Sequence, residues 1–249
     1  MDDKQWNSLA ENYHEEIVSP FFRDVENPLF AEIRRIKNSK DKKAAEFGCG
    51  LLYLGNLLSG SFRAVHASDF SENMVRKARQ RNKQLKNITI KKEDLRNISY
   101  KGEFDVAISC NSIIMPSFRD NLKAFCNINN ALKKNGVCFL ILPSMESVLY
   151  HGMLLLHSEL IGKETKKARK KAKRKFENSC YDFFLGHYHD GDQTQKFYYL
   201  HEIEYMLKKA GFRKIEVKKV KYPWGKDISD YEDFPKEKKM WDWFVSARK

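Results

Sequence analysis

Ala44-Ala45-Glu46-Phe47-Gly48-Cys49-Gly50 is a short apolar run that closes on two glycines, and Leu51, Leu54, Leu57 and Leu58 follow it at helical spacing. A continuous apolar run that gives way to a 3.6-residue period reads as strand, tight turn and helix. The unit recurs at once. Residues 64–69 form a second strand, and Ser71 with Glu72 opens a helix carrying Met74, Val75 and Ala78. Residues 88–91 and 106–110 read as further strands, 121–134 as a helix and 137–142 as a hydrophobic strand. Strands alternating with helices predict a mostly parallel sheet covered on both faces, with right-handed crossovers.

Upstream, Trp6, Leu9, Ala10, Tyr13, Ile17 and Val18 keep helical spacing until Pro20, and the period resumes through Leu29, Phe30, Ile33 and Ile36. Two helices are therefore expected before the first strand. Downstream, 199–210 reads as a helix ended by Gly211, then 212–221 and 240–247 as strands. Only about seventeen residues separate these two and no clear helix fills the gap, so an antiparallel terminal pair is expected. Between 143 and 195 the rhythm breaks, which marks an insertion.

Gly48 and Gly50 leave a backbone free of side chains at a helix entrance, where amides can face a small polar ligand. Nineteen residues after Gly50, at the end of the second strand, stands Asp69, placed to accept hydrogen bonds from both hydroxyls of a ribose. Together these residues describe a site for a nucleoside-bearing cofactor. A dinucleotide fingerprint would need glycine at position 53, where the chain has Tyr53, so a nicotinamide cofactor is the weaker reading.

Five segments carry a resemblance: Glu46-Phe47-Gly48-Cys49-Gly50, Asp69-Phe70-Ser71-Glu72-Asn73-Met74, Glu93-Asp94-Leu95, Phe104-Asp105-Val106 and Ala210-Gly211-Phe212. In this order the chain resembles the class I S-adenosylmethionine-dependent methyltransferases, and Trp6-Asn7-Ser8-Leu9-Ala10 with Tyr13 is similar to the cap helix of small-molecule members. The resemblance implies an α/β, Rossmann-like fold: a seven-stranded, mostly parallel sheet with an antiparallel last strand and helices on both faces. N-terminal cap helices (1–40) and a helical lid insertion (144–196) would complete a single domain over 1–249. It implies S-adenosylmethionine as cofactor and S-adenosylhomocysteine as product. Tyr13, Glu46 and Cys49 would belong to the cofactor site, with Gly48 and Gly50 facing the methionine moiety. Asp69 would hold the ribose, Phe70 and Met74 would pack near the adenine, and Asp94 would accept from its amino group beside the Leu95 amide. Cys110 and Asn111 would border the methyl group. At Leu52 the chain departs from the glycine common in the family.

A sulfonium already carries a reactive methyl, so the protein has to align an acceptor, exclude water and, for an O or N acceptor, remove a proton. The densest ionisable cluster is His187-Tyr188-His189-Asp190-Gly191-Asp192 in the insertion, which makes His187 and His189 the candidate catalytic residues. No nearby residues complete a ligand set around them, so no metal is expected. Cys110 lacks the Pro-Cys pair of RNA cytosine enzymes, and Cys110-Asn111-Ser112-Ile113 lacks the Asn-Pro-Pro-aromatic stretch of adenine or glutamine methylases.

The chain of 249 residues holds 46 Lys and Arg against 33 Asp and Glu, for a net charge of +13. Residues 163–175 supply nine basic groups and one acid, so most of that excess lies in one segment of the insertion. The cap-helix resemblance and the enclosing insertion favour a small metabolite as acceptor, and the basic run would suit a phosphate- or carboxylate-bearing one, RNA or an anionic membrane surface. An RNA substrate using the same run, or a non-catalytic adenosyl-binding protein, are the alternatives. Five cysteines without a C-x-x-C pair argue against a disulfide framework. With no long apolar window and no basic-then-apolar start, no membrane span is expected and the cytoplasm is the expected compartment.

Overall fold

The computed structural model describes residues 19–160, 166, 167, 170, 181–191, 193–225 and 234–249. Tyr13 and most of the basic run 163–175 lie outside these residues, as does the first of the two expected N-terminal helices. The second is present as the helix Leu29–Arg34.

Seven strands build the main sheet: β1 Lys43–Phe47, β2 Ala64–Asp69, β3 Ile88–Lys92, β4 Phe104–Cys110, β5 Leu132–Pro143, β9 Arg213–Tyr222 and β10 Met240–Arg248. Their order is β3-β2-β1-β4-β5-β10-β9. β10 runs antiparallel to both its neighbours, while the pairs among β1 to β5 are parallel. The expected antiparallel terminal pair is present, with β10 lodged between β5 and β9.

Burial on both faces explains why β5 reads as an unbroken apolar run rather than an alternating one. Leu140 and Leu142 enter the core under the helices Phe118–Ala131 and Leu200–Lys209, beside Phe125, Ile203 and Met206. Phe139 and Ile141 enter the opposite core, with Leu29, Leu58 and Phe244.

Helix starts follow their caps. The Met74 amide donates to Ser71 Oγ at 3.3 Å and opens the helix Glu72–Arg81, which buries Met74, Val75 and Ala78. The Asp120 amide donates to Ser117 Oγ at 3.2 Å, so the next helix begins at Phe118, three residues before the apolar period alone places it. Lys133 and Lys134, expected in that helix, belong instead to β5.

Among the described residues, the insertion holds strands as well as a helix. After the helix Met145–Leu160, a three-stranded antiparallel sheet is built from β6 Tyr181–Asp182, β7 His187–Asp190 and β8 Gln193–Lys196. It is tied to the loop after β4, where the Lys196 amide donates to the Ile114 carbonyl at 2.9 Å and the Tyr198 hydroxyl to the Ile113 carbonyl at 2.7 Å. No helix among the described residues is long and apolar enough to cross a membrane.

Candidate active site

Where parallel strands end, their following loops splay apart and leave a crevice. Here the loops after β1, β2, β3 and β4 line one cleft. Gly48 and Gly50 come from the first, Asp69 and Phe70 from the second, Glu93 to Arg96 from the third, and Cys110 to Ser112 with Ile114 and Met115 from the fourth. Met74 closes one side from the helix Glu72–Arg81. The candidate residues Gly48, Gly50, Asp69, Phe70, Met74, Asp94, Leu95, Cys110 and Asn111 are thus brought together, although they span more than sixty residues of sequence.

The glycine loop is shaped from within. Gly48 has φ +68°, and a Cβ there would collide with the Cβ of Ser112, so a side chain is excluded by both backbone and packing. Gly50 has φ +50°, and its amide donates to Asp69 Oδ2 at 2.9 Å. The Ser71 amide donates to the other oxygen, Oδ1, at 3.0 Å. Asp69, only 7% exposed, therefore braces the loops after β1 and β2 while its carboxylate still faces the cleft. A carboxylate oxygen can accept more than one hydrogen bond. Leu52 takes φ +54° and is buried against Cys49, Ala67 and Ala78. Tyr53, where a dinucleotide site needs glycine, holds an aromatic ring 4.5 Å from the Arg81 guanidinium.

Glu46 does not line the cleft. It lies two residues before Gly48, 2% exposed, and its Oε2 has no hydrogen-bond partner. Burial, with the Asp69 charge second, pushes its pKa up to about 8. A buried acceptor without a donor is costly unless a ligand supplies one, and a cation suits it best. Cys49 and Cys110 have thiols pushed well above the ordinary range, by burial first and then by the nearby acids. Neither is poised as a thiolate nucleophile.

At the far end of the cleft, Asp94 is engaged by its neighbour. Arg96 Nη2 lies 2.7 Å from Asp94 Oδ2 and Arg96 Nε 3.0 Å from Oδ1, contacts that hold the Asp94 pKa below its usual value although burial opposes them. An adenine amino group would share this carboxylate with the guanidinium. Glu93 is fixed too, accepting from the Tyr100 hydroxyl at 2.5 Å and meeting His66 Nε2 at 2.8 Å.

His187 and His189 do not line the cleft among the described residues. Both are on β7, with ring centroids 6.1 Å apart. His187 Nε2 lies 3.0 Å from the Pro116 carbonyl, one residue beyond the cleft-lining Met115, and His189 Nδ1 lies 2.9 Å from Thr194 Oγ1. His187 thus stands at the rim and His189 within the small sheet.

The sequence reading missed Asp242. From β10 its carboxylate accepts from the Asn111 side-chain amide at 3.2 Å and the Tyr222 hydroxyl at 2.6 Å. Burial raises its pKa to about 6, against the lowering pull of these donors and the Ser144 amide.

The cleft's residues fit an adenosyl sulfonium. Asp69 offers acceptors for hydroxyls, Phe70, Met74, Leu95 and Met115 offer apolar walls for a base, and Glu46, behind the glycine loop and outside the lining, offers a buried carboxyl with an unmet acceptor.

Residues 44–136 match the family model described as a methyltransferase domain. No curated protein matches the sequence. Among solved structures, the chain is similar to a SAM-dependent methyltransferase from Methanosarcina mazei, with 14% identity over 90% of this chain and 97% of that one and a TM-score of 0.61. It is also similar to the N-methyltransferase NodS from Bradyrhizobium japonicum in complex with S-adenosylhomocysteine, with 13% identity over 97% and 98% and a TM-score of 0.58. A third is magnesium protoporphyrin IX methyltransferase from Synechocystis with bound S-adenosylhomocysteine, with 13% identity over 99% and 86% and a TM-score of 0.58. At such identities the likeness establishes the fold.

Proposed function

We propose that this chain, whose residues 44–136 match a methyltransferase domain, is an S-adenosylmethionine-dependent methyltransferase of class I that methylates an O or N atom of a small metabolite, with an anionic one favoured. The observation that carries the reading is the pair of carboxylates around the glycine loop. Asp69 braces the loop and faces the cleft, and Glu46 lies buried behind it with an unmet acceptor.

S-adenosylmethionine, when bound, supplies an electrophilic methyl on a positively charged sulfur. The chain's own residues do the rest. Asp69 accepts the ribose hydroxyls, Glu46 answers positive charge at the methionine end, and Phe70 with Met74 covers the base. Cys110 and Asn111 face the reacting end from the tip of β4. Placing the acceptor in line and excluding water accounts for most of the rate such a reaction needs.

The insertion supports a small acceptor. Its sheet is tied through Lys196 to Ile114, a residue of the loop after β4 that lines the cleft. The basic segment 163–175 lies in the same insertion and would draw an anionic acceptor toward it. His187 at the rim touches the acceptor in this reading. RNA methylation is not favoured, since nothing in the described site adds to the basic run that suggested it, and a purely binding role, which the lack of an assured base suggested, is not favoured beside the match to a methyltransferase domain.

Calorimetric titration with S-adenosylhomocysteine tests the cofactor half, and saturable binding that weakens in Asp69→Ala is the expected result. Incubation of cell extract with methyl-labelled S-adenosylmethionine tests the other half. Label recovered in a low-molecular-weight product supports the reading, and label confined to RNA overturns it.

A further inference from the structure

Asn111 has three unusual features at once. It takes a left-handed backbone, φ +47°, immediately after β4. Its Nδ2 is committed to Asp242 Oδ2 at 3.2 Å, and its Oδ1 is buried without a hydrogen-bond partner while the residue lines the cleft. Asparagine tolerates that backbone better than most residues, and such conformations concentrate where function requires them.

We infer that Asn111 orients the methyl acceptor by offering Oδ1 to an N–H or O–H of the nucleophile, a role that rests on the methyl-transfer reading above, and that Asp242 and Tyr222 lock its amide in that attitude. An ionised carboxylate can only accept, so the NH2 side of the amide must face Asp242 and the carbonyl must face away. Tyr222, donating to the same Oδ2 at 2.6 Å, and the Ser144 amide hold that carboxylate in place. Asn111 is then a single-purpose acceptor at the methyl end of the cleft. A nucleophile whose hydrogen is held there has its lone pair free to point at the methyl carbon. The bond formed joins that N or O to carbon. The bond broken is carbon to sulfur, whose electron pair stays on sulfur, and the displaced proton passes to water.

The class of acceptor follows. Amines, amides, hydroxyls and protonated acids can donate to Asn111, whereas carbanions, thiolates and tertiary amines cannot. Asp242 acts through Asn111 and is a positioning residue. The groups around it are the Tyr222 hydroxyl from β9, the Ser144 amide after β5, and Asn111 after β4. The Cys110 thiol lies near Tyr222, and Glu46 acts on Cys110 in turn.

The test uses the full chain, isotope-labelled and saturated with S-adenosylhomocysteine. The Asn111 side-chain amide resonance, assigned by its loss in Asn111→Ala, should shift with pH around a midpoint near 6, and the shift should vanish in Asp242→Asn. With methyl-labelled S-adenosylmethionine and cell extract, label should sit on N or O. Asp242→Asn and Asn111→Ala should slow its transfer at least tenfold while S-adenosylhomocysteine affinity stays within twofold. Tyr222→Phe keeps the carboxylate and removes one donor. It should raise the midpoint above that of the wild type, and it carries the test if the Asp242 variant does not fold. A pH-independent amide in the wild type, an undiminished rate in Asp242→Asn, or label on sulfur or carbon overturns the assignment alone. A wild-type chain that binds no S-adenosylhomocysteine overturns the methyl-transfer reading, and this role falls with it.

Discussion

The backbone amide of Gly50 donates to Asp69 Oδ2 at 2.9 Å, closing a loop of 19 residues between the first and second strand ends. The carboxylate expected to serve only a ligand also holds the protein together, because its other oxygen takes the Ser71 amide. Removing it has two separable effects.

Asp69→Ala should weaken S-adenosylhomocysteine binding by about 1–3 kcal/mol, the scale for lost charge-assisted hydrogen bonds. It should also lower stability by a similar amount, since two buried amides lose their acceptor. Asp69→Asn keeps one acceptor oxygen and should recover part of both. Calorimetry and denaturant titration read the two separately, and an affinity equal to the wild type's would remove Asp69 from the cofactor site.

Glu46 gives the apo protein a pH dependence of definite sign. Its pKa rises from 4.5 in the unfolded chain to about 8 in the fold, so between these values the folded state binds the extra proton. Stability from this group is full below pH 4.5 and drains away as pH rises through 8. Asp242, raised from 3.8 to about 6, adds a loss in the same direction over a lower window. Glu46→Gln should flatten the upper part of the curve and raise Tm at pH 8.5, yet weaken S-adenosylhomocysteine binding. A Tm of the wild type that climbs between pH 6 and 8.5 would contradict the assignment.

Leu52 carries two opposed effects. Its left-handed backbone costs roughly 1–2 kcal/mol that glycine would relieve, and its side chain is 1% exposed in the core. Truncating a buried leucine costs about 2–5 kcal/mol. Leu52→Gly should therefore destabilise the protein by about 1–3 kcal/mol in denaturant titration.

Gly48→Ala should cost more than strain alone, because the new methyl meets Ser112. Adding Ser112→Gly should return part of the loss and leave the φ +68° penalty. Strict additivity of the two substitutions in a double-mutant cycle would show that the packing contact is not what excludes a side chain.

The meeting of the glycine loop with Asp69 was legible because they sit in two adjacent strand-loop-helix units, where spacing alone fixes which side chains meet. Ser71 and Ser117 were informative in unequal measure: the first marked a helix start correctly, and the second was passed over in favour of the apolar period that begins at Asn121. Asp242 was invisible for a different reason. It is a lone acid within Met240-Trp241-Asp242-Trp243-Phe244, and its partner Asn111 lies 131 residues away. Only the antiparallel placement of β10 brings them together, and no local pattern encodes that pairing. The small sheet of the insertion was missed because Tyr181–Asp182 and Gln193–Lys196 are too short and polar to show a strand period.

β10 also sets an order of events during synthesis. It lies in space between β5 and β9, yet both of those are made before it. Until residues 240–248 leave the ribosome, β9 has nothing to pair with in the sheet and β5 presents an open, apolar flank. A nascent chain stalled short of Met240 would therefore be a substrate for holding chaperones. The same late strand brings Asp242, so completion of the sheet and anchoring of the cleft-lining Asn111 are one step.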